Sequence, residues 1–193
     1  HECDEIDRGH FSNNRELTIL PFAGAFDKRH FELLKHCRNL RELRVTSVEL
    51  FDVWDLVGNL PNLKCLDLEV RVPYGFITRK PEIEDNSAIA VLSNLKEVVY
   101  RNYDYGNDAS SYFREILSRC NRRNIKRISL YGDDAGDDIM GEISGFRNIT
   151  YFNFSSYIQD IAPEHLNGLL KSCRKLQYIC VGNISSIDAS CFA

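Results

Sequence analysis

The stretch "SLYGDDAGDD" over residues 129–138 brings four carboxylates, Asp133, Asp134, Asp137 and Asp138, within six positions. Paired aspartates of this kind can hold divalent cations and so support phosphoryl transfer. Thiol and imidazole chemistry also has candidates. There are 7 cysteines, at Cys3, Cys37, Cys65, Cys120, Cys173, Cys180 and Cys191, and 5 histidines, at His1, His10, His30, His36 and His165. No CxxC pair occurs, so neither a zinc site nor a thioredoxin-like pair is indicated, and the odd count favours reduced thiols over a disulfide framework. No histidine has a nucleophile at motif spacing.

The letters YGDD match the metal-binding hairpin of RNA-dependent RNA polymerases. That hairpin needs a strand directly after its aspartates and further carboxylates from a distant motif. Here Gly132 and Gly136 suit a turn, and Asp137 or Asp138 suits the N-terminus of a helix over "DIMGEI". EF-hand spacing is absent as well. The aspartates therefore read as turn and capping residues, and the sequence points to no enzyme activity, no metal and no cofactor.

The elements that must position any site emerge when the chain is slid against itself. "LRELRV" from Leu40, "LKCLDL" from Leu63, "LKEVVY" from Leu95, "IKRISL" from Ile125, "ITYFNF" from Ile149 and "LQYICV" from Leu176 are apolar at their first, fourth and sixth places. A degenerate copy, "NRELTI", starts at Asn14, and the starts lie 23 to 32 residues apart. Seven units follow, with strands expected near 14–19, 40–45, 63–68, 95–100, 125–130, 149–154 and 176–181. Ahead of three strands, apolar residues precede a cysteine at helical spacing: Phe113, Ile116 and Leu117 before Cys120; Leu166, Leu169 and Leu170 before Cys173; Leu33 and Leu34 before Cys37. Each unit thus reads as an amphipathic helix, a turn and a short strand, and stacked units bury a shared core.

The L-x-x-L-x-L strands with "LL-x-x-C-x-x-L" leading into them resemble the cysteine-containing leucine-rich repeats of F-box proteins, over residues 14 to 184. The resemblance implies an α/β fold, a right-handed leucine-rich-repeat solenoid or horseshoe, with a parallel sheet on the concave face and helices on the convex face. It implies one domain over 1–193 that serves as the substrate-recognition part of an F-box-type ubiquitin ligase subunit. Two departures stand out. The F-box is absent from this chain, so a Skp1-type adaptor is a partner only if an F-box lies outside it. The Asn or Cys that closes each strand in the consensus is replaced by Val48, Arg71, Tyr103, Asp133, Tyr157 and Ile184, so no asparagine ladder and an irregular coil are expected.

Strand alternation places the third, fifth and seventh residues of each unit on the concave face. These are mixed charges in the first half, from Glu16, Thr18 and Leu20 of the first unit through Glu42, Arg44, Asp67 and Glu69. In the second half, Tyr131, Tyr151 and Tyr178 are edged by Arg101 and Arg127. Tyrosine and arginine dominate interface hot spots, so this patch is the expected seat of a protein partner. The prolines and glycine of "VRVPYGFITRKPEIED" (70–85) mark an excursion whose Tyr74, Phe76 and Arg79 are further contact candidates.

A row of cations, Arg15, Arg41, Lys64, Lys96 and Lys126, fills the second place of five successive units. It suggests a phosphate track, against which stands the net charge of −4. On that charge nucleic acid is not the expected partner. No apolar run spans a membrane and no leader is evident, which favours a cytoplasmic or nuclear protein. The glycosylation triplets at Asn148, Asn153 and Asn183 keep an extracellular recognition domain as the alternative, beside a nucleic-acid-associated nuclear adaptor.

Overall fold

The computed structural model describes residues 19–22, 32, 34–48, 50–70, 86–102, 109–132, 137–155 and 161–182. Along the chain run β1 (Ile19–Phe22), β2 (Glu42–Val48), α1 (Leu50–Gly58), β3 (Cys65–Val70), α2 (Asn86–Ser93), β4 (Glu97–Asn102), α3 (Ala109–Arg119), β5 (Arg127–Gly132), α4 (Asp137–Ser144), β6 (Tyr151–Ser155), α5 (Pro163–Ser172) and β7 (Tyr178–Val181). The strands form one 7-stranded sheet in chain order, β1 to β7. Every neighbouring pair is parallel. From β2 onward a helix lies between successive strands, an α/β arrangement, and the sheet is open, with β1 and β7 at its two ends.

Register follows the predicted frame from β2 onward. Glu42 faces Cys65, Cys65 faces Glu97, Glu97 faces Arg127, Arg127 faces Tyr151 and Tyr151 faces Tyr178. Each of these is the third letter of its unit, so equivalent letters occupy equivalent positions. One irregularity lies in β2, where an extra residue between Val45 and Val48 makes a bulge against Leu68 and Val70.

The first strand corrects the frame. Ile19, not Glu16, pairs with Glu42, so Ile19 is the third letter of its unit, and the described strand covers Ile19–Phe22. The physical reason is visible in "LTILPF": starting at Leu17 it sets apolar residues at the first, fourth and sixth places, whereas a start at Asn14 sets an amide at the first. Pro21 has no N–H to donate and is tolerated because β1 ends the sheet order. Residues 14–18, with Arg15, Glu16 and Thr18, lie outside the described residues.

The fourth and sixth letters of the units, Leu43, Val45, Leu66, Leu68, Val98, Tyr100, Ile128, Leu130, Phe152 and Phe154, are at most 3% exposed. They share one cluster with the inner faces of the helices, among them Leu56 of α1, Leu92 of α2, Phe113 and Leu117 of α3, Ile143 of α4 and Leu169 of α5. Each fully buried aliphatic or aromatic side chain contributes about 1.5–3 kcal/mol. The first letters, Leu40, Leu63, Leu95, Ile125 and Ile149, are wholly buried where helix turns into strand.

Those turns hold a hydrogen-bonded amide series at the opposite end of the strand from the consensus position. An asparagine precedes the first apolar letter five times, as Asn39, Asn62, Asn94, Asn124 and Asn148. Asn62, Asn124 and Asn148 donate through Nδ2 to the carbonyls of Arg38, Ser93 and Arg123 in the preceding turn, at 2.9, 2.9 and 3.2 Å. Asn94 instead donates to Ala90 of its own helix. No asparagine stands at the strand-closing places; turn carbonyls are met instead from the strand start, by Asn62, Asn124 and Asn148.

Cys37, Cys120 and Cys173 are buried as the helical frame requires, while His36 is exposed. Burial pushes the Cys120 thiol up to about 12 from the ordinary 9.0. The Cys65 thiol also rises to about 12, by burial first and then by the carboxylates of Glu97, Glu42 and Asp67. Thiolate is the reactive form. In native protein near neutral pH, iodoacetamide is expected to modify Cys180 first among the described cysteines and to leave half-exposed Cys65 nearly untouched, as read by peptide mass spectrometry. Raised folded-state values also set the sign of a stability trend: the thiol contribution is complete below the ordinary value and is lost as pH climbs toward the folded one.

Candidate functional site

The third, fifth and seventh letters of the units lie on the sheet face away from the helical core. Two cross-strand chains of side chains run along it. In the third-letter row, Arg127 of β5 sets its Nε 3.2 Å from Glu97 Oε2 on β4. On its other side, the Arg127 guanidinium lies 4.0 Å from the ring centroid of Tyr151 on β6. Tyr151 in turn stacks on Tyr178 of β7, with centroids 4.5 Å apart and planes 4° from parallel. Register alone explains the order, since these four residues are direct neighbours on adjacent strands.

The second chain starts at Asp67 on β3, which is ion-paired with Arg44 Nε at 3.0 Å and accepts a hydrogen bond from Arg101 Nη1. Arg101 also lies over the Tyr131 ring, 4.9 Å from its centroid. Asn153 Nδ2 donates to the Tyr131 hydroxyl at 2.7 Å. Asp67, Ser129 and Asn153, the fifth letters, are 9%, 4% and 9% exposed, so the middle of this face is closed over by its own side chains. Burial pushes the Asp67 carboxyl above its ordinary range, and the two guanidiniums only partly offset this.

The two chains differ in what they leave open. Arg101 and Asp67 keep 16% and 12% of their side-chain surface, and their pairing serves the sheet. Arg127 keeps 47%, and Tyr178, at 49%, is the exposed large apolar residue among those described. A cation–π contact at an exposed site contributes about 0.5–1 kcal/mol and a stacked aromatic pair about 0.5–1.5 kcal/mol. These are small stabilisations, but they hold the side chains in one arrangement, which lowers the entropy lost on binding. Neighbouring Cys180, then Tyr151, raises the Tyr178 phenol above its ordinary value.

All five sequence-picked strand residues, Arg101, Arg127, Tyr131, Tyr151 and Tyr178, thus meet on one face. Tyr74, Phe76 and Arg79 lie outside the described residues. The partners Asp67, Glu97 and Asn153 belong to the same face by strand alternation, but the pairings Arg101–Asp67, Arg127–Glu97 and Tyr131–Asn153 come from the structure. Asn153, a glycosylation triplet in the sequence, is buried with its amide engaged by the Tyr131 hydroxyl.

The aspartates after Gly132 are followed by a helix and not directly by a strand among the described elements. Gly132 closes β5 with φ +138, and the next described element is the helix α4 from Asp137. Asp133, Asp134 and Gly136 lie outside the described residues. No helix among the described residues is long and apolar enough to cross a membrane. No protein-family model matches the chain, and no curated protein matches it.

Proposed function

We propose that the chain is a leucine-rich-repeat solenoid, a right-handed horseshoe with its sheet on the concave face, acting as a protein-interaction module. One observation carries the assignment: the Arg127–Tyr151–Tyr178 stack is ordered by its own contacts and ends in a ring that is 49% exposed. A rigid parallel sheet holding tyrosines and an arginine in fixed rotamers offers the residue types and preorganisation that hot spots use. The in-register rows and the asparagine-bonded turns support the solenoid. By resemblance of "LL-x-x-C-x-x-L", the specific role is substrate recognition for an F-box-type ubiquitin ligase subunit.

The full-length product, isolated from its own cells, tests both levels. Tyr151→Ala/Tyr178→Ala is expected to unfold within about 1.5 kcal/mol of the native chain, the size of the lost pair. It is also expected to lose the native set of bound proteins identified by mass spectrometry. Undiminished binding would move the site, and Tyr74, Phe76 and Arg79 would be next. Absence of a Skp1-type adaptor from that set would remove the ligase role and leave the interaction module.

A further inference from the structure

The turns that lead from helix into strand are electrostatically one-sided. Segments 36–41, 59–64, 93–96, 120–126, 145–150 and 173–177 hold 10 Lys and Arg and no Asp or Glu, in a chain with 28 acidic residues and a net charge of −4. None of those cations is buried. Solvating a turn requires polarity but not a single sign, and like charges set side by side repel.

Backbone bonds put the second letters of the units in a line. Lys64 N donates to Arg41 O at 2.7 Å, Lys96 N to Lys64 O at 2.8 Å and Lys126 N to Lys96 O at 2.8 Å. Arg41, Lys64, Lys96 and Lys126 therefore follow one another at the strand spacing of about 4.8 Å. Where this row ends another begins. Arg123, Arg147 and Arg174 each stand two residues before a first letter, Ile125, Ile149 and Leu176. Their turns are joined by Asn148 Nδ2 to Arg123 O at 3.2 Å and by Lys175 Nζ to Asn148 Oδ1 at 2.8 Å. Among the described residues none of these seven cations is paired with a carboxylate; the ion pair of these turns is Arg122 with Glu142.

We propose that this edge of the sheet is a second binding surface, for the sugar–phosphate backbone of duplex nucleic acid. A line of unpaired cations complements a line of phosphates. The turns offer no exposed aromatic on which unpaired bases would stack, since Phe146 is wholly buried beneath Arg122. They also offer no exposed large apolar side chain to enter a bilayer, as the exposed one among the described residues is Tyr178 on the sheet face. The carboxylates next to the row, Glu42 and Glu97, belong to the third letters of the sheet face, where Arg127 pairs with Glu97, and charges more than about 8 Å away are screened at physiological salt. The surface is independent of the Arg127–Tyr151–Tyr178 stack, so the module would bridge a protein and a duplex.

Fluorescence anisotropy of a mixed-sequence DNA duplex of about 20 base pairs, titrated with the full chain at about 50 to 200 mM salt, tests the proposal. Four or five phosphate contacts predict a slope of log K on log salt of about −4, little changed by duplex sequence. Lys64→Gln/Lys96→Gln/Lys126→Gln is expected to reduce the slope by about 3, with an unchanged urea midpoint. Tyr151→Ala/Tyr178→Ala is expected to leave the slope alone. Absent binding at the lowest salt, or a slope unmoved by the triple variant, would overturn the proposal. So would tighter binding of the single strand, or phosphatidylserine vesicles or polyglutamate that bind while the duplex fails to compete.

Discussion

Leu117→Asp is expected to leave the chain without a cooperative unfolding transition. Leu117 is 1% exposed on α3, packed in the same cluster as Phe113, Ile116 and Cys120. Losing its burial costs about 1.5–3 kcal/mol. A carboxylate placed there has no cationic partner, and breaking the balance of a buried charge costs a further 3–5 kcal/mol or so. Together these approach the roughly 5–15 kcal/mol that holds a domain folded. Because α3 stands between α2 and α4 in the row, the damage reaches both halves of the core. Urea titration followed by circular dichroism decides the matter. Leu117→Ala, expected to lose about 2–5 kcal/mol, should keep a sigmoidal transition where the aspartate variant does not. A normal midpoint for Leu117→Asp would show that this helical face is not the buried one.

Gly132→Ala should be the most costly single-methyl change among the described glycines. Its φ of +138 lies where L side chains are strained, and a Cβ would overlap the carbonyl oxygen of Asn102, its register partner on β4. Backbone oxygen in a parallel rung cannot swing aside as a side-chain tip can. Strain of about 1–3 kcal/mol, with the overlap in addition, predicts a clear fall in melting temperature. Gly141 in α4 provides the opposite sign within the same unit, since a Cβ there meets nothing within 4 Å. Gly141→Ala should raise stability by about 0.5–1 kcal/mol through helix propensity. Differential scanning calorimetry of the two variants should therefore bracket the native chain. Equal midpoints would show that the β4–β5 rung is looser than its geometry.

Much of this architecture was legible in the letters alone, because a parallel sheet built from like units converts sequence spacing directly into lateral order. The pattern that begins at Leu40 and returns at Leu63, Leu95, Ile125, Ile149 and Leu176 places Arg127, Tyr151 and Tyr178 side by side without any structure. Three features were not legible. Two frames three residues apart compete at the amino-terminal end, and choosing Asn14 over Leu17 displaced the first strand. The asparagines sit before the first apolar letter, where a search tied to the strand-closing position passes them by. Burial of Asp67, Ser129 and Asn153 depends on how far Arg101 and Tyr131 lean across the face, which is a matter of side-chain direction that spacing does not encode.

The sequential strand order also governs how the sheet would respond to force. Among the described residues each strand is hydrogen-bonded to the strand before it and the strand after it and to no other. A load drawing β1 away from β7 across the sheet falls on one set of rungs at a time, so the structure peels like a zip instead of shearing as a block. Held in an optical trap, the molecule would lengthen at low tension in successive small increments. Slackening the trap would let each released segment re-pair with the edge that remains, because that neighbour is also its nearest along the chain.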